Sequence, residues 1–231
     1  MTKLTGKDRS AYVQDLFTRI AGKYDLMNRL MTFGQDVGWR DEVLERARFA
    51  KGERLLDLGA GTGDLARAAQ ARIGSEGVVA ADFTYEMMRA GRQPTDGFVW
   101  ANADALAVPF AGNAFDAVVS GYLMRNVIDR DQALREQWRV LKKGGRVVIL
   151  DTTRPKRNLL SPFIWLHLHV VIPLLGTLLS GHSDAYTYLP NSTEEFLSAE
   201  ELAEKMRGAG FDAVGYRRFM FGTMAIHWGR K

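Results

Sequence analysis

The 231-residue sequence contains no cysteine, and it has only six prolines and four histidines. The absence of cysteine excludes disulfide bridges, zinc ribbons, iron–sulfur clusters and a cysteine nucleophile. His167 and His169 fall on different faces of a helix, so the sequence offers no metal site. The first ten residues, MTKLTGKDRS, have no apolar stretch behind their basic residues and predict no secretory signal. We therefore expect a cytoplasmic protein.

The sequence also carries little excess charge. Its 31 Lys and Arg against 27 Asp and Glu leave a net charge of +4, too little to indicate a nucleic-acid partner. Such an excess suits contact with an anionic membrane surface, where each clustered basic residue contributes about 1 kcal/mol. The 46% hydrophobic and 25% charged residues are typical of a folded globule. Residues 1–231 suffice for a single domain with a full core.

Short apolar runs alternate with helical segments in the middle of the chain. Five of these runs predict strands: Arg54–Leu58, Val78–Asp82, Phe98–Asn102, Ala117–Ser120 and Arg146–Asp151. Helices are predicted between them: Asp64–Ile73, Thr84–Arg92 and Asp131–Leu141. This alternation predicts a parallel sheet with helices on both faces.

Both ends of the chain differ from this pattern. Residues 1–50 predict a helical cover, in which Gly34 and Gly38 separate the first helical region from a helix at Trp39–Ala50. At the other end, a helix at Ala199–Ala209 precedes two strands, Phe211–Tyr216 and Thr223–Gly229. One strand of such a hairpin must run antiparallel to the sheet. The predicted fold is therefore α/β, a doubly wound, mostly parallel, seven-stranded Rossmann-like sheet with an antiparallel C-terminal hairpin.

The first predicted strand ends in a glycine-rich loop. Gly59, Gly61 and Gly63 alternate with other residues, so a ligand can approach bare main chain. The dinucleotide pattern G-x-G-x-x-G would need its third glycine at position 64, where the chain has Asp64. The spacing G-x-G-x-G instead favours S-adenosylmethionine (SAM). We expect Asp64 to cap the following helix.

Polar residues at the ends of the other strands complete a predicted SAM site. Asp82 ends the second strand and is expected to accept the ribose hydroxyls. Asp57 lies before the glycines, near the expected methionine amino group. The third strand ends at residues 102–104, which would read the adenine edge. The predicted cofactor-binding set is Asp57, Gly59, Gly61, Thr62, Gly63, Asp82, Asn102, Ala103, Asp104, Ser120 and Gly121. Their order along the chain is that of a class I SAM methyltransferase.

Several motifs outside the cofactor loop resemble one family. They include FTRIAGKYDLMN at residues 17–28, LDLGAGTGDL at 56–65, RNV at 125–127, and DAY at 184–186 followed by Tyr188-Leu189. Together these motifs resemble the ubiquinone/menaquinone biosynthesis C-methyltransferases over most of the chain. Two departures bear on the acceptor pocket: Gly121-Tyr122-Leu123 stands where the family has Ser-Phe-Gly, and Asp151-Thr152 replaces Glu-Phe.

The resemblance implies transfer of a methyl group from SAM to a ring carbon of a prenylated hydroquinone, with a demethylmenaquinol-type acceptor favoured. Arg125 would stabilise the developing phenolate, Asn126 would orient it, and Tyr24 would close over the site. An arginine cannot act as the base, so a bound water would take the proton. The resemblance implies no metal.

Residues 159–179 contain no Asp, Glu, Lys or Arg and have the length of a membrane span. Pro162, Pro173 and Gly176 argue against a span, and a buried core helix is an alternative. We favour a substrate lid over residues 152–198, whose apolar face receives the prenyl tail and transiently touches the bilayer. Arg154 and the basic pair at 156–157 would then meet lipid headgroups, at the inner face of the cell membrane.

Two other functions remain open on the sequence alone. The first is a SAM-dependent methyltransferase of another small molecule or of RNA, although the basic residues are too scattered for an RNA-binding stripe. The second is a SAM-binding homologue without catalysis, because the loop around Tyr122 departs from the family pattern. The sequence also leaves homodimer formation open.

Overall fold

The computed structural model describes residues 6–155, 159, 161–174 and 192–231. The α-helices are α1 (Gly6–Ile20), α2 (Tyr24–Met31), α3 (Asp36–Ala47), α4 (Asp64–Ile73), α5 (Tyr85–Gly91), α6 (Arg130–Val140), α7 (Ser161–Leu166) and α8 (Ala199–Gly208). The strands are β1 (Leu55–Leu58), β2 (Val78–Asp82), β3 (Val99–Asn102), β4 (Phe115–Gly121), β5 (Leu141–Thr152), β6 (Asp212–Phe219) and β7 (Met224–Arg230). Short 3₁₀ turns span Ala21–Lys23 and Met220–Gly222, and a π-helical turn spans His167–Val171.

All seven strands form one sheet in the order β3-β2-β1-β4-β5-β7-β6. The first five strands of this order pair in parallel, whereas β7 is antiparallel to both β5 and β6. This arrangement confirms the predicted doubly wound sheet with its antiparallel C-terminal hairpin. The chain winds outward in opposite directions from β1 and β4, which leaves a crevice at their carboxyl ends where ligands of such folds bind.

Two hydrophobic clusters cover the two faces of the sheet. Neighbouring residues of a strand point to opposite faces, and accordingly Leu55 belongs to one cluster and Leu56 to the other. Helices α6 and α8 contribute Leu134 and Leu202 to the cluster around Leu56. Because helices bury both faces, the central strands are mostly apolar on both faces rather than alternating.

The N-terminal helices form a third cluster. Leu16 of α1 and Met27 of α2 pack with Met87 of α5 and Ile164 of α7. This cluster lies over the crevice and shares no buried residue with the two that cover the sheet. Of the helical cover predicted for residues 1–50, α1 and α2 therefore pack on α5 and α7, whereas α3 packs on the sheet.

Several predicted element boundaries are wrong, and those of α3 and the start of β5 are among the largest differences. Gly38 lies inside α3, which begins at Asp36, because burial of Trp39 and Val43 on the sheet offsets the low helix propensity of one glycine. Helix α3 also ends early, at Ala47. Strand β5 begins at Leu141, five residues before the predicted start, since Gly144 and Gly145 pair with the backbone of Lys231.

The apolar stretch at residues 159–179 is described as far as residue 174. Its described part contains the six-residue α7 and the π-helical turn. Within the described residues, no helix has both the length and the apolar character of a membrane span. Arg154, predicted to meet lipid headgroups, is half-exposed and forms an ion pair with Glu201 at 2.7 Å. Residues 156–158, and with them the predicted basic pair, lie outside the described residues.

Candidate active site

The glycine loop follows β1 at the carboxyl edge of the sheet. Gly59, Gly61 and Gly63 all have positive φ angles, of 75°, 57° and 88°. A Cβ atom at Gly59 would lie 2.9 Å from Leu123 Cδ1, and one at Gly63 would lie 2.5 Å from the Trp100 ring. Both positions therefore require glycine, since another residue would be strained and would also clash.

Asp82 holds this loop in place. Its Oδ2 accepts a hydrogen bond from Gly61 N at 2.8 Å, and its Oδ1 accepts one from Thr84 N at 2.7 Å. Burial raises the pKa of this carboxyl group, and the backbone donors oppose the shift. Because each carboxylate oxygen has a second lone pair, Asp82 can also accept hydroxyl groups from a ligand.

Asp57 has a buried oxygen without a partner. Its side chain is fully buried, and Oδ2 accepts a hydrogen bond from Ala66 N at 3.0 Å. Oδ1 has no hydrogen-bond partner among the described residues. Burial raises the pKa of Asp57 to about 7. The residue lines a cavity of about 390 Å³ together with Arg40 and Gly59, so a ligand that offers a cationic donor would fit this carboxylate.

The third strand contributes less than predicted. Asn102 is exposed, and its side-chain Nδ2 donates to the backbone oxygens of Asp82 and Phe83 at 2.9 and 3.1 Å. Ala103 and Asp104 do line the main cavity. Asn102 therefore stabilises the loop after β2, whereas the two residues after it face the space where a ligand would lie.

The main cavity has a volume of about 880 Å³ and collects most of the predicted cofactor residues. Six of them line it: Gly59, Gly61, Asp82, Ala103, Asp104 and Gly121. Asp57 and Thr62 line the smaller cavity beside it. Gly63, Asn102 and Ser120 line neither cavity. Gly63 is the N-cap of α4, and Ser120 is fully buried within β4.

Asp64 does not cap α4 as predicted, because the cap position falls on Gly63, whose left-handed φ only glycine adopts easily. The Asp64 carboxylate instead forms ion pairs with Arg40 and Arg67, each at 3.0 Å. Arg40 also pairs with the buried Asp36 at 2.7 Å. This network connects α3 to the first turn of α4 beside the glycine loop.

The N-terminal helices also contribute to the site, which the sequence did not indicate. Val13, Gln14 and Phe17 of α1 line the main cavity. The Thr62 hydroxyl donates to Asp25 Oδ1 of α2 at 2.8 Å, which connects the cover to the glycine loop. The helical spacing of apolar residues signalled the helices, but it did not indicate which of their residues face the crevice.

The structure separates the three residues predicted to act on the acceptor. Tyr24 and Asn126 line the main cavity, whereas Arg125 lines an adjoining cavity of about 540 Å³. Asn126 Nδ2 donates to the Tyr122 backbone oxygen at 2.8 Å. Burial raises the pKa of Tyr24, and the charge of Arg125 opposes the shift, so the two side chains interact electrostatically. Tyr122 lines both cavities.

A buried carboxylate holds Arg125. The Arg125 residue is 4% exposed, and its backbone N–H donates to Asp151 Oδ2 at 3.1 Å. Its Nε lies 3.9 Å from Asp151 Oδ1, an ion-pair distance too long for a hydrogen bond. Burial raises the pKa of Asp151, and Arg125 opposes that shift. The buried guanidinium therefore lies beside a carboxylate, and its Nε has unused donor capacity.

The backbone at Tyr122 is strained. Its φ is 61°, in the left-handed region, where a residue with a Cβ atom costs about 1–2 kcal/mol. This conformation directs the chain sharply out of β4 and brings the next side chain, Leu123, against Gly59. Such outliers are typical of ligand-binding sites.

Among the described residues, no three His, Asp or Glu side chains are grouped to hold a metal ion. The features of this site together fit SAM. The unpaired Asp57 oxygen can bind its cationic amino group, and the glycine loop lets its methionyl chain approach the main chain closely. Asp82 can accept hydrogen bonds from its ribose hydroxyls.

Solved structures share this fold. A SAM-dependent methyltransferase from Thermotoga maritima has a TM-score of 0.64 and 19% identity, with 94% of this chain and 99% of that one covered. Phosphoethanolamine N-methyltransferase 2 from Haemonchus contortus, in complex with S-adenosylhomocysteine, has a TM-score of 0.64 and 18% identity, with 84% and 52% covered. At these identities the likeness concerns the fold alone, that of class I methyltransferases.

Curated relatives are much more similar in sequence. The ubiquinone/menaquinone biosynthesis C-methyltransferase of Desulfotalea psychrophila is 46% identical over 95% of this chain and 90% of its own length. The demethylmenaquinone methyltransferase of Roseiflexus castenholzii is 41% identical over 96% and 94%. The model of the ubiE/COQ5 methyltransferase family matches residues 4–231. The chain therefore belongs to the ubiE/COQ5 methyltransferase family and is an enzyme that takes its methyl group from SAM.

Proposed function

We propose that this enzyme methylates a ring carbon of a prenylated hydroquinone, with a demethylmenaquinol-type acceptor favoured. The observation that carries the proposal is the meeting of two cavities at Tyr122, one lined by the cofactor loop and the other by the buried Arg125. The names of these relatives, which concern menaquinone and ubiquinone biosynthesis, support this class of acceptor.

The cofactor cavity would hold SAM through four groups of contacts. The unpaired Asp57 oxygen faces the amino group, and Asp82 accepts the ribose hydroxyls while it holds Gly61. Ala103 and Asp104 lie at the adenine edge. SAM supplies an electrophilic sulfonium methyl group, which these contacts would direct toward the cavity beyond Tyr122.

Arg125 would prepare the acceptor for attack. An ionised quinol hydroxyl raises electron density on the ring carbon, and a nearby guanidinium favours the ionised form. Asp151 keeps Arg125 in place from behind. Transfer of the methyl group to the ring carbon releases one proton overall, which a bound water accepts, since arginine cannot.

The remaining residues would fix the geometry. Asn126 is oriented through its bond to the Tyr122 backbone, and Tyr24 closes the cavity from α2. Near-attack positioning of the two reactants can supply about 7–11 kcal/mol of the barrier. The α1–α2 cover, which also excludes water, would be the element that maintains this positioning.

Transfer of tritium from methyl-labelled SAM tests the proposal. The whole protein would be incubated with reduced demethylated menaquinol and ubiquinol precursors, with soluble phenols, and with bulk RNA. We expect label in the quinol fraction. Label only in soluble phenols or RNA would contradict the proposed acceptor, and no transfer to any of them would favour a SAM-binding protein without catalysis.

We also propose that the enzyme contacts a membrane surface. Phe33, after α2, and Phe163 and Trp165 of α7 are 71%, 69% and 56% exposed. The Phe33 ring lies 5.4 Å from the ring of His167, a residue that also lines the Arg125 cavity. This apolar surface therefore adjoins the site, where a prenyl tail would leave the protein for the bilayer.

A further inference from the structure

The Arg125 cavity combines apolar walls with buried polar groups. Its apolar lining includes Met31, Ile172 and Met224, which would suit the faces of an aromatic ring. Tyr122, Arg125 and Thr152 line the same cavity, and these three residues are only 9%, 4% and 8% exposed.

Four polar atoms of residues that line this cavity have no hydrogen-bond partner. They are the Tyr122 hydroxyl, Arg125 Nε, the Thr152 hydroxyl and Asn28 Nδ2, counted within the described part of the chain. A buried polar group without a partner costs about 1–3 kcal/mol, and native structures contain few of them. Four around one cavity indicate a ligand that supplies missing bonds.

Thr32 provides a contrast inside the same cavity. Its residue is 7% exposed and lines the cavity, but its hydroxyl donates to the Asn28 backbone oxygen at 2.8 Å. A threonine hydroxyl in this cavity lining can therefore be buried and still have a hydrogen-bond partner. Thr152 differs because its hydroxyl has no partner, whereas its backbone N–H donates to Asp151 Oδ1 at 2.7 Å.

The chemistry of the unpaired groups defines what they would recognise. Arginine only donates hydrogen bonds, whereas tyrosine and threonine hydroxyls both donate and accept. Arg125 thus suits an ionised oxygen, and the two hydroxyls suit an oxygen that still carries its proton. A ring with two oxygen substituents, one of each kind, would satisfy Arg125 and the Tyr122 and Thr152 hydroxyls, and either oxygen could also accept from Asn28 Nδ2.

We propose that Tyr122 and Thr152 are specificity residues that bind the second ring oxygen of a dihydroxyarene acceptor, while Arg125 faces the first. The inference rests on the proposed function, because it assumes that the acceptor ring occupies this cavity. Selection by such a pair is strong, since an analogue without the oxygen leaves buried groups unpaired.

Tyr122 is well placed for this role. Its backbone adopts a left-handed φ, and its ring lies 5.2 Å from the guanidinium carbon of Arg125. The ring is therefore positioned by the backbone and by Arg125 rather than by a bond to its own hydroxyl. Burial raises the pKa of Tyr122, so the hydroxyl keeps its proton and remains a donor at neutral pH.

Binding of two small probes tests the proposal directly. The dissociation constants of 1,4-dihydroxynaphthalene and 1-naphthol would be measured by calorimetry on the whole protein, under reducing conditions and with saturating S-adenosylhomocysteine. We expect the diol to bind at least tenfold more tightly. With 1-naphthol one or two hydrogen bonds are not made, and a tenfold ratio of dissociation constants corresponds to about 1.4 kcal/mol. Equal affinities would overturn the proposal.

The variants Tyr122→Phe and Thr152→Val remove only the hydroxyl groups. Each variant should reduce the preference for the diol severalfold and leave 1-naphthol binding unchanged. The melting temperature should stay equal or rise, because each substitution removes an unpaired buried hydroxyl. The matched control Thr32→Val should lower the melting temperature and keep the preference. An unchanged preference in both variants would contradict the assignment.

The tritium assay separates this proposal from the proposed function. If the wild-type enzyme methylates a quinol but shows no preference for the diol, only the roles of Tyr122 and Thr152 are overturned. If the preference and its loss in the variants are observed without methyl transfer to any quinol, the ring pocket is supported and the proposed reaction is overturned.

Discussion

Asp57 is the residue at which the fold and the cofactor chemistry meet. Its carboxylate caps the backbone at Ala66 with one oxygen and keeps the other unpaired in a fully buried position. Such a group is unfavourable for stability unless something cationic binds it. Binding of a cationic ligand at Asp57 should therefore stabilise the folded protein.

Binding of SAM should depend on pH through Asp57. Burial raises the pKa of Asp57 to about 7, so the carboxyl group is largely protonated at pH 5.5 and ionised at pH 7.5. Because a cationic amino group prefers the ionised form, affinity for SAM should rise about 25-fold across this interval, in proportion to the ionised fraction. Calorimetric titrations at both pH values would measure the change.

Asp57→Asn provides the control for this dependence. The variant should bind SAM weakly and nearly equally at the two pH values. A variant that retained the wild-type slope would assign the titration to another group, and Asp82, whose pKa burial also raises, would be the first to examine.

Loss of the Arg125 guanidinium should slow methyl transfer without weakening cofactor binding. Arg125→Ala should lower kcat about 10²–10³-fold, the usual effect of removing one electrostatic contact to a developing oxyanion. Affinity for SAM should be retained, since Arg125 does not line the cofactor cavities. Tritium transfer and calorimetry would measure the two quantities.

Arg125→Lys keeps a positive charge beside the buried Asp151 and serves as the control for folding. Its activity should fall between those of the wild type and the alanine variant, because lysine cannot present the planar guanidinium. Near-normal turnover of Arg125→Ala with SAM still bound would exclude the proposed role.

Among the elements, α1 and α2 are distinguished by their packing. Their cluster is separate from the two clusters on the sheet, and it covers the cofactor cavity through Val13 and Phe17. A unit with its own small core can open without global unfolding. Release of the cofactor would use such an opening.

Leu16→Ala should loosen this cover selectively. The side chain is fully buried in the N-terminal cluster, and its truncation costs about 2–5 kcal/mol. Amide hydrogen exchange should accelerate in residues 6–31 far more than in β1, β4 and β5, and KM for SAM should rise. Exchange measured by mass spectrometry would show the distribution.

Leu134→Ala is the matched control, since Leu134 is equally buried but packs in the cluster around Leu56. It should lower global stability without a selective effect on residues 6–31. Equal acceleration over the whole molecule in both variants would show that α1 and α2 do not open as a separate unit.

Features that depend on neighbouring residues could be predicted from the sequence, whereas features that depend on distant residues could not. The glycine loop and the buried strands β1 and β2 were predictable, because positive φ angles and continuous apolar runs leave local signals. The position of Gly38 in α3 was not, since burial of Trp39 decides it. Asp64 was assigned a local cap, but distant Arg40 pairs with it.

The acceptor side of the site was the least predictable part. Arg125 and Asn126 are adjacent in sequence, yet they line different cavities, because the chain turns sharply at the left-handed Tyr122. The unpaired Thr152 hydroxyl has no sequence signal, since Thr32 is the same residue type and is paired. Only the three-dimensional structure distinguishes the two.

At the scale of the whole molecule, the Arg125 cavity lies close to the exposed side chains of Phe33, Phe163 and Trp165. His167 connects them, because it lines the Arg125 cavity and its ring contacts Phe33. The net charge of +4 is small, so apolar contact rather than charge would provide most of the affinity for a bilayer. A prenyl tail could then reach the site while its end stays in lipid.

Vesicle binding should therefore depend on α7. The wild-type protein should co-sediment with vesicles of equal parts phosphatidylcholine and phosphatidylglycerol. The double variant Phe163→Ser, Trp165→Ser should bind about thirtyfold more weakly, because each of these exposed aromatic side chains would contribute about 1 kcal/mol on entering the lipid surface. Val99→Ser is the control: Val99 is 61% exposed, but it lies on β3 at the far edge of the sheet. Equal co-sedimentation of the double variant and the wild type would exclude α7 as the membrane contact, because the substitutions remove apolar area at no other place on the molecule.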